Sequence, residues 1–61
     1  MSEELILLQE YFESLGLDKE NLNANDLELL EHELRDAGEL GLADWVRKLN
    51  GPHELLEYLE E

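Results

Sequence analysis

An all-α domain is the expectation for this chain, built as a small three- to four-helix bundle or as an orthogonal helical array. Three observations point there. Leu, Ile, Val and Phe supply 19 of the 61 residues, and 16 of those are Leu. That share lies well above the roughly 20% below which a highly charged chain stays disordered. Only Ile6 and Val46 are β-branched and Thr is absent, so the side chains that strands favour are missing. Apolar positions recur at spacings of three and four between breaks rich in Gly, Pro and Asn, which is the period of amphipathic helices. The length accommodates a single helical domain, residues 1–61.

The spacing predicts helices over 3–15, 26–37, 40–49 and 53–60. In the first, Ser2 is placed as an N-cap and Glu3 and Glu4 suit the positive end of the helix dipole. Leu5, Leu8, Phe12 and Leu15 form its apolar stripe, widened by Tyr11. Gly16 offers a left-handed stop, with Leu17 set to fold back on the last turn. Asp18 to Asn25 is turn-rich because Asn side chains compete with helical backbone bonding, and Leu22 anchors it to the core. Asn25 or Asp26 is expected to cap the second helix, since Asn25 and Glu28 have capping-box spacing. Its stripe reads Leu27, Leu30, Leu34 and Ala37 and ends at Gly38.

Leu42, Trp45, Val46 and Leu49 occupy i, i+3, i+4 and i+7 in the third helix. Asn50-Gly51-Pro52 is a strong break, and Pro52 suits the first position of a fourth helix carrying Leu55, Leu56, Tyr58 and Leu59. The expected core is Leu8, Phe12, Leu30, Leu34, Trp45, Val46, Leu49, Leu55 and Leu59.

Charge then narrows the function. Asp and Glu number 17 against four Lys and Arg, a formal net charge of -13. Direct nucleic-acid binding is not expected, because it relies on cations that neutralise phosphates. A helix-turn-helix reading of the second and third helices, with Arg47 and Lys48 facing DNA, fails on the carboxylates that surround them. Those two cations instead suit the C-terminal end of the third helix, where Asp44 and Lys48 are an i,i+4 pair, as Glu31 and Arg35 are on the second. The longest apolar run, Leu5 to Leu8, falls far short of the roughly 20 residues of a membrane span, and no basic segment opens a signal peptide. A cytoplasmic protein without membrane contact is the expectation.

Metal and catalytic chemistry find little support. An EF-hand register from Asp18 places Leu22, Asn23 and Leu29 where an oxygen ligand, Gly and Glu are needed. A register from Asn21 puts Asp26 at the Gly position and His32 at the Glu position. Glu28, His32 and Asp36 share a helix face, but three side chains in a line do not close a coordination shell. Cys is absent, and the two serines, Ser2 and Ser14, lie in no nucleophile motif. The expectation is no enzyme, no metal and no cofactor.

What remains is the surface. On the first helix Glu3, Glu10, Glu13 and Ser14 lie opposite the apolar stripe, with Ile6 among them. On the second, Glu28, His32 and Asp36 form an outward row, and Leu29 lies off the stripe near Glu33 and Asp36. An apolar side chain ringed by carboxylates suits docking on a basic, partly apolar partner. The pattern therefore predicts an acidic helical protein-interaction module, a monomer or weak homodimer, that binds a basic protein surface through these eight positions: Glu3, Ile6, Glu10, Glu13, Glu28, Leu29, His32 and Asp36. Its sharper form is a nucleic-acid-mimicking inhibitor of a nucleic-acid-binding protein. The alternative is an engineered or de novo designed scaffold with no natural ligand, favoured by the Leu-dominated core and regular glycine stops. The Asn-rich turn and Lys-poor surface speak against that alternative. A regulatory oligomerisation domain would bury Ile6 and Leu29 between chains.

Overall fold

Each of the four segments forms a helix in the computed structural model, which describes residues 3–59. The helices are α1 (Glu3–Ser14), α2 (Ala24–Asp36), α3 (Leu40–Arg47) and α4 (Pro52–Leu59). Ser2, expected to cap α1, and the terminal Glu60-Glu61 lie outside the described residues.

The two longer helices end in the same way. After α1, Gly16 takes φ +69°, its N–H donates to the Glu13 carbonyl and the Leu17 N–H donates to the Phe12 carbonyl. After α2, Gly38 takes φ +84°, with N–H bonds from Gly38 to Arg35 and from Glu39 to Leu34. Both are Schellman closures, in which a residue able to adopt positive φ lets the chain satisfy two orphan carbonyls.

The start of α2 departs from the sequence-based expectation. Asn23, neither Asn25 nor Asp26, is the N-cap. Its side-chain oxygen accepts the Asp26 N–H at 3.1 Å, while the Asp26 carboxylate accepts the Asn23 N–H at 3.1 Å. This reciprocal box uses Asp in place of the usual Glu, and it starts α2 two residues earlier than the Asn25/Glu28 spacing implied. Upstream, the Asp18 carboxylate accepts the Glu20 N–H at 3.0 Å and the Asn21 side-chain amide at 2.9 Å, which folds the connection into a turn.

The core corrects three assignments. It comprises Leu8 and Phe12 of α1, Leu30 and Leu34 of α2, Leu42, Ala43 and Val46 of α3, and Leu55 and Leu59 of α4. Trp45 and Leu49 are only partly buried, packed against this cluster from outside. The buried face of α3 is the Leu42/Ala43/Val46 side, and α3 makes its most extensive interhelical contact with α2. Leu49 lies past the end of α3, where the Lys48 and Leu49 N–H groups tighten into i→i+3 bonds. Ala37, expected on the α2 stripe, is exposed because it already belongs to the closing turn.

Packing then sets the neighbours. α1 lies against α2 and α4, and α3 lies against α2. The Gln9 side-chain amide donates to the Leu59 carbonyl at 3.1 Å and ties α1 to the end of α4. No polar or charged residue is buried among the described residues, so the core itself is built from apolar side chains.

Candidate functional site

The sequence-predicted surface is exposed throughout. On α1, Glu3, Ile6, Glu10 and Glu13 all face outward, and Ile6 is 44% exposed. On α2, Glu28, Leu29, His32 and Asp36 are likewise exposed, Leu29 at 43%. The helical period explains both faces, since Ile6 and Glu10 lie about 160° and 200° around α1 from Leu8. Among the described residues the ion pairs are Glu31–Arg35 at 2.7 Å and Asp44–Lys48 at 3.3 Å, each within one helix. Neither pair includes a carboxylate of the two predicted acidic rows. Glu28 also borders a shallow depression between α2 and α3 beside Leu27 and Val46.

A second feature was not foreseen from the sequence. α3 and α4 are joined by a short connection but pack only lightly on one another, and the start of α1 leans toward both. The result is an open groove of about 470 Å³. Leu5, Leu8 and Leu42 line its apolar part, and Gly41 leaves it unobstructed. Trp45 and Tyr58 stand together on it, ring centroids 5.0 Å apart and planes at 80°, an edge-to-face pair between α3 and α4. Glu4 and Glu39 supply its carboxylates. Glu39 occupies the N-cap position of α3, yet its side chain makes no capping bond.

None of the eight predicted positions lines this groove. The sequence places Glu4 and Tyr58 on the first and fourth helices, but only the tertiary fold brings them together with Glu39. Tyr58, expected with Leu55 and Leu59 on the apolar side of the fourth helix, is instead 42% exposed while both leucines are buried.

The carboxyl of Asp18 is held below the usual Asp range, first by the Glu20 N–H and then by the Asn21 amide, both of which stabilise its charged form. This is the chemistry of a turn. Among the described residues, no group of three or more His, Asp and Glu is placed to hold a metal ion. No helix among them is long and apolar enough to cross a membrane. Comparison with known protein families, curated proteins and solved structures finds no match to this chain.

Proposed function

We propose that the domain is an acidic protein-interaction module that occupies a basic surface of a partner protein. One observation carries the reading. Two helix faces each combine exposed carboxylates outside the ion pairs among the described residues with one exposed apolar side chain, Ile6 on α1 and Leu29 on α2. With a net charge of -13, the surface attracts cationic partners at long range and repels a second copy of itself. The apolar residues then supply contact area once the partner has arrived. In its sharper form the module mimics nucleic acid. Carboxylates at intervals of one or two helical turns would take the places of phosphates on the Lys and Arg of a nucleic-acid-binding protein.

The test begins with capture of a partner at low salt and proceeds to binding kinetics with the purified pair. Glu10→Lys/Glu13→Lys should cut the association rate about tenfold at low salt while leaving the helical circular dichroism intact, because rim charges act through steering. Duplex DNA or RNA should compete if the module is a mimic. Binding that survives the reversals but is lost in Ile6→Asp or Leu29→Asp would replace mimicry with apolar docking. Binding that neither set disturbs would remove both faces. Absence of any partner at low salt would leave a scaffold without a natural ligand.

A further inference from the structure

We infer that the groove between α1, α3 and α4 receives one bulky apolar side chain from a Lys/Arg-rich segment of the partner, with Glu4 and Glu39 pairing to the flanking cations. This deepens the interaction-module reading and rests on it. Three features of the groove favour that occupant. Its apolar contact surface is offered by Leu5 and the Trp45–Tyr58 pair, over a floor of buried Leu8 and Leu42, and suits an aliphatic or aromatic anchor. Aromatic walls of this kind are where interface energy concentrates. Its volume of about 470 Å³ leaves room for one such side chain in an open groove.

Charge complementarity then selects the class of partner. Both charged residues lining the groove, Glu4 and Glu39, are acids. Neither belongs to an ion pair among the described residues. A second copy of the chain is disfavoured as occupant, since it would bring another -13 to an acidic mouth. A basic segment suffers no such repulsion, and its Lys and Arg stems extend the apolar contact while their heads reach the two carboxylates. The exposed faces of α1 and α2 steer the partner from a distance, whereas the groove fixes its register.

Trp45 is the sole Trp of the chain and stands in the groove, so its fluorescence reports occupancy directly. The probes are two Trp-free 15-residue Lys/Arg-rich peptides of equal charge, one with a central Phe and one with Ala there. The Phe peptide should bind about tenfold more tightly or better, the factor expected from burying one large apolar side chain. It should also shift Trp45 emission to shorter wavelength. Glu4→Gln/Glu39→Gln should weaken the binding of the Phe peptide, whose flanking cations lose their partners, whereas Tyr58→Ala should reduce the preference for Phe over Ala. Helical circular dichroism checks that both variants fold.

Equal affinity for the two peptides, with Trp45 emission unmoved, would overturn the groove assignment. If that binding still fell in Glu10→Lys/Glu13→Lys, the broader module reading would stand without the groove. Failure of both peptides to bind even at 20 mM NaCl would overturn the groove assignment and weigh against the module as well. A preference for Phe that persists unchanged in Tyr58→Ala, or Phe-peptide binding that is unchanged in Glu4→Gln/Glu39→Gln, would place the contact elsewhere and equally overturn the assignment.

Discussion

Gly38→Ala and Gly41→Ala apply the same chemical change three residues apart, and they should move stability in opposite directions. A Cβ built on either residue meets no heavy atom within 4 Å, so packing does not distinguish them. Backbone conformation does. Gly38 sits at φ +84° in the turn that closes α2, and an L-residue held in the left-handed region costs roughly 1–2 kcal/mol. Gly41 lies in the first turn of α3 without positive φ. Its replacement by Ala restricts the unfolded chain and favours the helix, a gain of about 0.4–1 kcal/mol. In a domain of this size each kcal/mol moves the midpoint by roughly 4–8 °C, so Gly41→Ala should melt roughly 2–8 °C higher and Gly38→Ala roughly 4–16 °C lower. Thermal melts followed by circular dichroism at one ionic strength would measure both. Gly38→Asn should recover part of the loss, because Asn tolerates the left-handed region better than Ala does. If both Ala variants melted lower by similar amounts, the open space assigned to residue 41 would be wrong. If both melted higher, the left-handed closure of α2 would be wrong.

Other expectations follow from the same structure. Phe12→Ala removes a side chain only 3% exposed and should cost about 3–5 kcal/mol, which approaches the whole stability of a chain this short; urea unfolding would measure it, and a loss below about 1 kcal/mol would contradict the burial. Raising NaCl from 20 to 500 mM, which shortens the screening length from about 20 to about 4 Å, should raise the melting midpoint; a fall would mean that Glu31–Arg35 and Asp44–Lys48 outweigh net repulsion. Asp18 should titrate below ordinary Asp by NMR, and its depressed folded value fixes the sign of the pH effect. Its stabilising contribution is complete above the unfolded Asp pKa and is lost as pH falls through the lower folded value. Asp18→Asn should therefore flatten the acid limb of the stability profile, and an unchanged limb would refute the role of the turn.

The helices were legible because their signals are local. Gly16 and Gly38 are punctuation that acts within one turn, and the 3–4 spacing of Leu8, Phe12, Leu30 and Leu34 reports directly on burial. Trp45, expected in the core, is only partly buried while Ala43 lies in it, because periodicity marks a broad face whereas the neighbouring helices decide which residues sit at its centre. Asn23 was overlooked as a cap because Asp at the third helical position stands in for the Glu of the usual box. The outward positions Ile6 and Leu29 could be read from one helix at a time. The groove could not, since Leu5, Leu42 and Tyr58 come from three helices and meet only through tertiary packing.

The dominance of the α2–α3 interface has a consequence for how the chain acquires its shape. These helices adjoin in sequence, separated only by residues 37–39, so their contact closes a short loop at small entropic cost. A hairpin of this kind is the expected folding nucleus, with α1 and α4 condensing onto it afterwards. Substitutions such as Leu30→Val and Val46→Ala should then slow folding, while Leu8→Val and Leu59→Val should mainly hasten unfolding. Stopped-flow chevrons showing the reverse would place the nucleus at the chain ends. The late-arriving helices carry Leu5 and Tyr58, two residues that line the groove. A nascent or partly unfolded chain would therefore present its acidic α2 face before it possessed a groove, so the charged surface of the domain matures earlier than the recess lined by Trp45 and Tyr58.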